Sequence, residues 1–323
     1  MIIVTGGAGF IGSALIAKLN AAGISDIIVV DSEKLAHREQ ILSGKRFSEF
    51  IDKEVFIDRL RKDQLPTTIN AIFHLGACSS TTERNVEFLR VNNIEYSQSI
   101  IEYCARKGIR CIYASSAATY GDGEHGYSDD ESLLERYKPL NAYGDSKQLC
   151  DLWAKREGYL DRVVGLKFFN VYGPNEYYKG DMASIAWKAF NTIKATGSFS
   201  LFKSHRPDYL DGEQKRDFVY VKDCCDVMLW LMNNRTVNGI FNVGSGKARS
   251  WNDLLRSIFS AMNIPPKIVY IDMPESLRNQ YQYFTEAPMQ KLIKAGYTAP
   301  LHSLEDGVRD YIQKHLMQAD MHW

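Results

Sequence analysis

Tyr143 and Lys147 stand four residues apart and spell Y-x-x-x-K. On a helix, positions i and i+4 share a face, so the lysine ammonium can lie close to the tyrosine phenol. A free tyrosine has a pKa of about 10, so service as a base at neutral pH requires lowering it by ~3 units, or ~4 kcal/mol. A neighbouring cation favours phenolate in this way. Ser115 and Ser116 close the apolar run Cys111–Ala114, and the Ser116 hydroxyl can hydrogen-bond and orient a substrate alcohol. The chemistry on offer is proton transfer at an alcohol, coupled to oxidation and reduction.

Such a set needs rigid elements to position it. Short β-branched runs at 2–5, 27–30, 70–75, 110–114, 163–168 and 239–243 alternate with helical patterns, notably 13–22, 92–107 and 144–157. This alternation predicts an α/β fold, a doubly wound parallel sheet of the Rossmann type covered on both faces. It places Ser116 at the carboxyl edge of the sheet, where ligands bind. The first strand runs into Gly6, Gly7, Gly9, Phe10, Ile11 and Gly12, and Gly7, Gly9 and Gly12 fit the spacing G-x-G-x-x-G. One glycine makes the tight turn, one admits a pyrophosphate to the backbone, and one lets helix and strand pack closely. The helix N-terminus then offers its free N–H groups to the phosphates. Strand 27–30 ends in Asp31, at the distance expected for the adenosine ribose. A bound nicotinamide dinucleotide follows, and its oxidised, cationic ring also favours the Tyr143 phenolate.

After residue 170 the rhythm changes. Gly173-Pro174 breaks the chain, and 175–214 is rich in aromatic, Lys and Asp residues. The passage 218–232 with strand 239–243 reads as a return to the sheet. Residues 1–170 with about 215–246 are expected to form the dinucleotide-binding domain, and about 171–214 with 247–323 a smaller, interleaved substrate-binding domain.

The chain of 323 residues is 45% apolar and 24% charged with zero formal net charge, which points away from nucleic acid and anionic membranes as partners. A strand beginning at residue 2 leaves no room for a signal peptide, and the apolar run 225–232 is too short to span a bilayer. The six cysteines, at 78, 104, 111, 150, 224 and 225, show no metal-ligand spacing, and the seven histidines are scattered. Buried free thiols in a reducing cytoplasm, and no metal site, are the expectation.

At this point the residues match a family. The chain resembles the extended short-chain dehydrogenase/reductases that act on nucleotide sugars. The resemblance rests on Thr5–Gly12, Tyr113-Ala-Ser-Ser-Ala-Ala-Thr-Tyr-Gly121, Tyr143-Gly-Asp-Ser-Lys147, Phe169-Asn-Val-Tyr-Gly-Pro174 and Arg216-Asp-Phe-Val-Tyr-Val221. Within the family, His74-Leu-Gly-Ala-Cys-Ser-Ser-Thr-Thr-Glu83, Lys179-Gly-Asp-Met-Ala-Ser184 and Tyr281-Gln-Tyr-Phe-Thr285 are similar to the branch that inverts C6 of an ADP-linked heptose. Dehydratases of the superfamily carry Thr-Asp-Glu after the sheet-edge serine; here Ala117, Ala118 and Thr119 offer no acid, so elimination is unsupported.

The resemblance implies hydride removal from C6, a transient ketone, and hydride return to the opposite face, a step that supplies heptose for lipopolysaccharide core. It assigns proton handling in two substrate orientations to Tyr143 and Lys179. It places Phe10 and Ile11 at the cofactor phosphates and Asp31 and Ser32 at the ribose. Leu75, Gly76, Ala77, Cys78 and Ser79 line the cofactor with Asn92, Val171 and Lys179. Asn170, Phe202, Lys203, Ser204, His205, Arg216 and Tyr281 become substrate contacts, the Arg216 guanidinium being suited to a diphosphate. Two positions depart from the family pattern: Asp181 replaces a small hydroxyl residue, and Lys188 a histidine. Asp31 alone reads as NAD, because a carboxylate repels a 2′-phosphate. The resemblance implies NADP, with Arg38 and Lys53 as the basic residues neutralising that phosphate. A homo-oligomer, by resemblance a pentamer, is also implied. The alternatives are a UDP-sugar 4-epimerase, a sugar-nucleotide reductase, or a dinucleotide-sensing scaffold without turnover.

Overall fold

The structure is a computed structural model and describes residues 1–278 and 281–323. A parallel sheet of seven strands forms its centre: β1 (Ile2–Thr5), β2 (Ile27–Asp31), β3 (Glu49–Asp52), β4 (Ala71–His74), β5 (Arg110–Ser116), β6 (Val163–Phe168) and β10 (Gly239–Val243), in the order β10-β6-β5-β4-β1-β2-β3. Five of these are almost wholly buried runs of Ile, Val, Leu and Phe, as expected of strands covered on both faces. The chain winds outward from β1 through β2 to β3, then returns to β4 on the other side of β1. This reversal opens a crevice at the carboxyl ends of β1 and β4.

Helices α1 (Phe10–Ala21), α2 (Arg38–Leu42), α3 (Lys53–Arg61), α4 (Val86–Leu89), α5 (Tyr96–Lys107), α6 (Ala142–Arg156), α7 (Ile185–Thr196), α8 (Val221–Asn233) and α9 (Trp251–Ala261) surround the sheets. Helix α1 packs on α8, and Lys18 pairs with Asp226 across them. Two further sheets lie beyond the large one: β7 (Asn170–Tyr172), β9 (Lys215–Tyr220) and β11 (Ala248–Ser250) in one, β8 (Phe199–Phe202) and β12 (Ile268–Ile271) in the other.

The expected strands are all present, with the short strands β7, β8, β11 and β12 in addition and three further differences from the sequence reading. Strand β3 was not anticipated: of Glu49–Asp52 only Ile51 is buried, so it carries no apolar run. Strand β9 pairs with β7 and β11, so the chain returns to the large sheet through α8 and β10. The expected helix 92–107 is α5 preceded by a π-helix, Arg90–Glu95.

The loop after β7 is held from outside by the tail. Asn175, left-handed at φ 77°, accepts from the Trp323 N–H at 2.9 Å and donates to its carbonyl at 3.0 Å. Tyr177 donates to the Met321 carbonyl at 2.5 Å, and His322 stacks on Tyr178.

Candidate active site

The glycine turn after β1 fits a dinucleotide on steric grounds. Gly6 has φ 67°, and a Cβ there would stand 2.6 Å from the Gly76 Cα; one on Gly12 would meet the Gly6 carbonyl oxygen at 2.1 Å. Gly7 packs against Val29 and Val4. Helix α1 has no capping side chain and no acid in its first turn, which leaves its N–H groups free for an anion. Asp31 accepts from the N–H groups of Ala8 and Ser32, both at 2.9 Å. Burial pushes its carboxyl pKa up, against those two hydrogen bonds.

Two adjoining cavities follow the crevice. One, about 430 Å³, is lined by Gly6, Gly9, Phe10, Ile11, Gly12, Asp31, residues 75–79 and Lys179. The other, about 230 Å³, is lined by Asp31, Ser32, Lys53, Gly76, Ala77, Cys78 and Asn92. Lys53 donates to the Asn92 amide oxygen at 2.7 Å. The π-helix serves both sides of this wall: Asn92 faces the cavity while the next residue, Asn93, is buried and clamps Cys78 through its N–H (2.8 Å) and carbonyl (3.0 Å). Arg38 is not there. Its guanidinium lies 4.8 Å over the Phe50 ring on β3 and lines neither cavity.

The reaction cavity, about 380 Å³, brings together Phe10, Ile11, Leu75, Ala77, Ser79, Ser116, Tyr143, Lys147, Asn170, Val171 and Lys179. Asn141 caps α6 by accepting from Gly144, which seats Tyr143 in the first turn beside the end of β5. Lys147 donates to the Ala114 carbonyl at 2.9 Å. Burial pushes the Tyr143 phenol pKa up, and a hydrogen bond with Ser116 pulls the other way. The Lys147 ammonium is engaged by the Ala114 carbonyl, and burial lowers its pKa. Lys179 ends the loop after β7, its ammonium 5.6 Å from the Phe10 ring centroid. Burial lowers its pKa against the opposing charge of Glu176, which favours a lysine able to give and take a proton.

The outer substrate residues divide. Arg216 is buried between aromatic rings, 5.3 Å from Tyr281 and 5.7 Å from Trp251, and donates to the Lys215 and Gln282 carbonyls. Trp251 also lines the reaction cavity and donates to the Tyr281 hydroxyl, so Arg216 and Tyr281 adjoin the site. His205 joins this cluster through its N–H to the Tyr283 hydroxyl, and Ser204 is held by Asp211. Phe202 ends β8, and Lys203 turns to Asp272 at 3.2 Å; neither lines the cavity. Lys188 donates to the Asp181 carbonyl, and this pair also lies outside the cavity lining.

Sequence reasoning missed Trp251, Glu176, Asp151 and Lys167. Asp151 continues the row Tyr143, Lys147 by another four residues, and Lys167 is a lone charge inside the apolar run of β6; both signals were readable.

A dinucleotide crevice joined to a cavity holding Ser, Tyr and Lys at the sheet edge defines a nicotinamide-dependent oxidoreductase-type site of the extended Rossmann class. The NAD dependent epimerase/dehydratase family matches residues 2–244. A Nitratidesulfovibrio vulgaris protein, ADP-L-glycero-D-manno-heptose-6-epimerase, is 55% identical over 322 residues, covering 100% of both chains. A Fusobacterium nucleatum protein of the same name is 46% identical, covering 99% of each. The Helicobacter pylori structure of that name superposes with TM-score 0.81 at 30% identity over 97% of this chain and 95% of that one. A UDP-N-acetylglucosamine 4-epimerase from Methanobrevibacter ruminantium shares the fold, with TM-score 0.78 at 24% identity over 97% and 96%. The chain belongs to the NAD dependent epimerase/dehydratase family and, within it, to the ADP-L-glycero-D-manno-heptose-6-epimerases.

Proposed function

We propose that the protein inverts C6 of the heptose in ADP-D-glycero-D-manno-heptose, giving the L-glycero product, by transient oxidation to a ketone. The carrying observation is the cavity in which Ser116, Tyr143, Lys147 and Lys179 meet beside the dinucleotide crevice. The full-length identity to named 6-epimerases supports the choice of substrate. A nicotinamide dinucleotide held by the Gly6–Gly12 turn, Asp31 and residues 75–79 would supply a hydride acceptor and donor for both half-reactions. Tyr143 takes the C6 hydroxyl proton in one orientation, with Ser116 holding both hydroxyls. Lys147 holds the end of β5 through Ala114 and offers positive charge near the cofactor ribose. Lys179, on the facing loop, handles the proton in the other orientation. Arg216 and Tyr281 receive the nucleotide diphosphate.

We assign NADP as the cofactor on the position of Lys53 beside Asp31 and Ser32. Residues 1–170 with about 215–246 carry the cofactor in this reading, and 171–214 with 247–323 the sugar nucleotide, β9 lying on the seam. A homo-oligomer in the cytoplasm, of five copies by family resemblance, completes it. Among the described residues, no helix is long and apolar enough to cross a membrane.

The test is incubation of the purified protein with ADP-D-glycero-D-manno-heptose, with C6 configuration read by NMR and the released cofactor by mass. Inversion at C6 and a 2′-phosphorylated dinucleotide are expected. Inversion only at C4 of a UDP-sugar would overturn the substrate assignment, and NAD alone would overturn the cofactor assignment.

A further inference from the structure

Beneath the reaction cavity lies a charged cluster that the proposed chemistry does not use. Asp151 and Lys167 form an ion pair at 2.7 Å, with both side chains fully buried. Asp151 also accepts from the Tyr113 hydroxyl at 2.9 Å and the Ser115 hydroxyl at 2.7 Å. Lys167 also donates to the Thr119 hydroxyl at 2.6 Å, and Thr119 donates to the Ser116 carbonyl at 2.8 Å. The Lys167 ammonium stands 5.1 Å over the Tyr120 ring.

The placement is ordered along α6. Tyr143, Lys147 and Asp151 are successive i, i+4 positions on one face, and each lies against β5 or its end: Tyr143 lines the reaction cavity with Ser116, Lys147 donates to the Ala114 carbonyl, and Asp151 accepts from Tyr113 and Ser115. Lys167 brings in β6 and, through Thr119, grips Ser116 from its far side. Buried ion pairs add little net stability over apolar residues of the same shape. What they do enforce is geometry, because the donors of this buried cluster are each matched to acceptors fixed on β5, α6 or the turn after β5.

We propose that Asp151 and Lys167 are positioning residues for proton transfer: they fix the register of α6 against β5 so that the Tyr143 phenol meets the Ser116 hydroxyl. The inference rests on the assignment of Tyr143 and Ser116 to the reaction. Neither member of the pair touches substrate. The groups facing the Tyr143 phenol are Ser116 from β5, Cys78 from the loop after β4, Lys147 from its own helix and Lys179 from the loop after β7. Loss of the Ser116 hydrogen bond removes a contact that favours phenolate, so the rate limb requiring phenolate moves to higher pH.

The test compares wild type, Asp151→Leu/Lys167→Met, Thr119→Val and, as control, Tyr143→Phe. The paired variant removes both charges together, so no unpaired buried charge remains; Thr119→Val cuts only the branch to Ser116 at constant volume. The paired variant is expected to fold with bound cofactor, to lose about 10²-fold in kcat, as sub-ångström misplacement of reacting groups does, and to keep its KM. Its phenolate limb shifts to higher pH, and Thr119→Val shows the same changes in smaller measure. Wild-type kcat and pH profile in the folded paired variant overturn the proposal. If the paired variant fails to fold, Thr119→Val decides alone, and a wild-type kcat and profile there overturn it. An active Tyr143→Phe control instead removes the assignment of Tyr143, whatever the pair does.

Discussion

Tyr143 and Lys179, the two residues proposed to handle protons, sit in different mechanical settings. Tyr143 is buried in the first turn of a fifteen-residue helix and is tied to the end of a seven-residue strand by side chains on both. Lys179 is half-buried and precedes a single 3-10 turn, Gly180–Met182, in a loop whose Tyr178, Gly180 and Asp181 are exposed. That loop is shaped by one carboxylate. Glu176, fully buried, accepts from the Gly173 N–H at 3.1 Å and from the N–H (2.5 Å) and hydroxyl (2.8 Å) of Ser184, closing the loop at both ends. One group is therefore fixed by continuous secondary structure and the other by a clasp of side chain on backbone. In the proposed two-orientation reaction, the frame would hold Tyr143 to one geometry while the clasped loop would carry Lys179.

The largest test of the contrast is the pair Tyr143→Phe and Lys179→Met. Tyr143→Phe is expected to lose ~10²–10⁴-fold in epimerisation, the usual contribution of a general acid–base group, with cofactor still bound. Lys179→Met should also cripple epimerisation yet keep part of the dismutation of a C6-aldehyde ADP-hexose analogue, which needs no inversion. Identical behaviour of the two variants in dismutation would erase the distinction between frame and loop.

A smaller effect is expected from Glu176→Gln. The amide turns one acceptor into a donor facing a donor, and a buried mismatch of this kind costs about 1–3 kcal/mol. Hydrogen exchange should quicken over 173–184 and stay unchanged across α6 and β5. Spread of the change into α6 would show that loop and frame are one unit.

The smallest effect concerns acid. His74 is fully buried on the frame side, between the Thr5 hydroxyl at 2.7 Å and the Ser97 hydroxyl at 2.8 Å. Burial, helped by the Lys147 charge, pushes its pKa down to about 3 from 6.5. The unfolded chain then binds more protons than the native one below pH 6.5, so stability falls as pH drops from 6.5 towards 3. The slope is at most about 1.4 kcal/mol per pH unit. Urea midpoints at pH 7 and 5.5 should separate more for wild type than for His74→Gln, in which His315, lowered by burial to about 4, still contributes; equal separation in both would remove His74 as a cause.

The legible parts of the fold were those encoded by local contrast. Strands β1, β2, β4, β5, β6 and β10 announce themselves as apolar runs, and the glycine turn and Y-x-x-x-K are fixed spacings within one turn or one helix. Strand β3 was not legible because an edge strand with one buried residue has no pattern to read. The Arg38 guanidinium lies over Phe50 on that strand, a contact between two elements that no local pattern encodes. The π-helix was hidden because one extra residue in a turn barely disturbs helical periodicity. Lys167 stood out as a charge in a buried strand, but its partner sixteen residues earlier on another element is a fact of tertiary packing.

The grip of Trp323 on Asn175 sets an order of events during synthesis. Every residue of the α6–β5–β6 frame has been made once the chain reaches Phe168, whereas the hydrogen bonds of Asn175 and Tyr177 wait for residues 321–323. At ribosomal rates of about 5–20 residues per second, that interval is roughly 10–30 s. For that time the loop that carries Lys179 lacks its outer fastening.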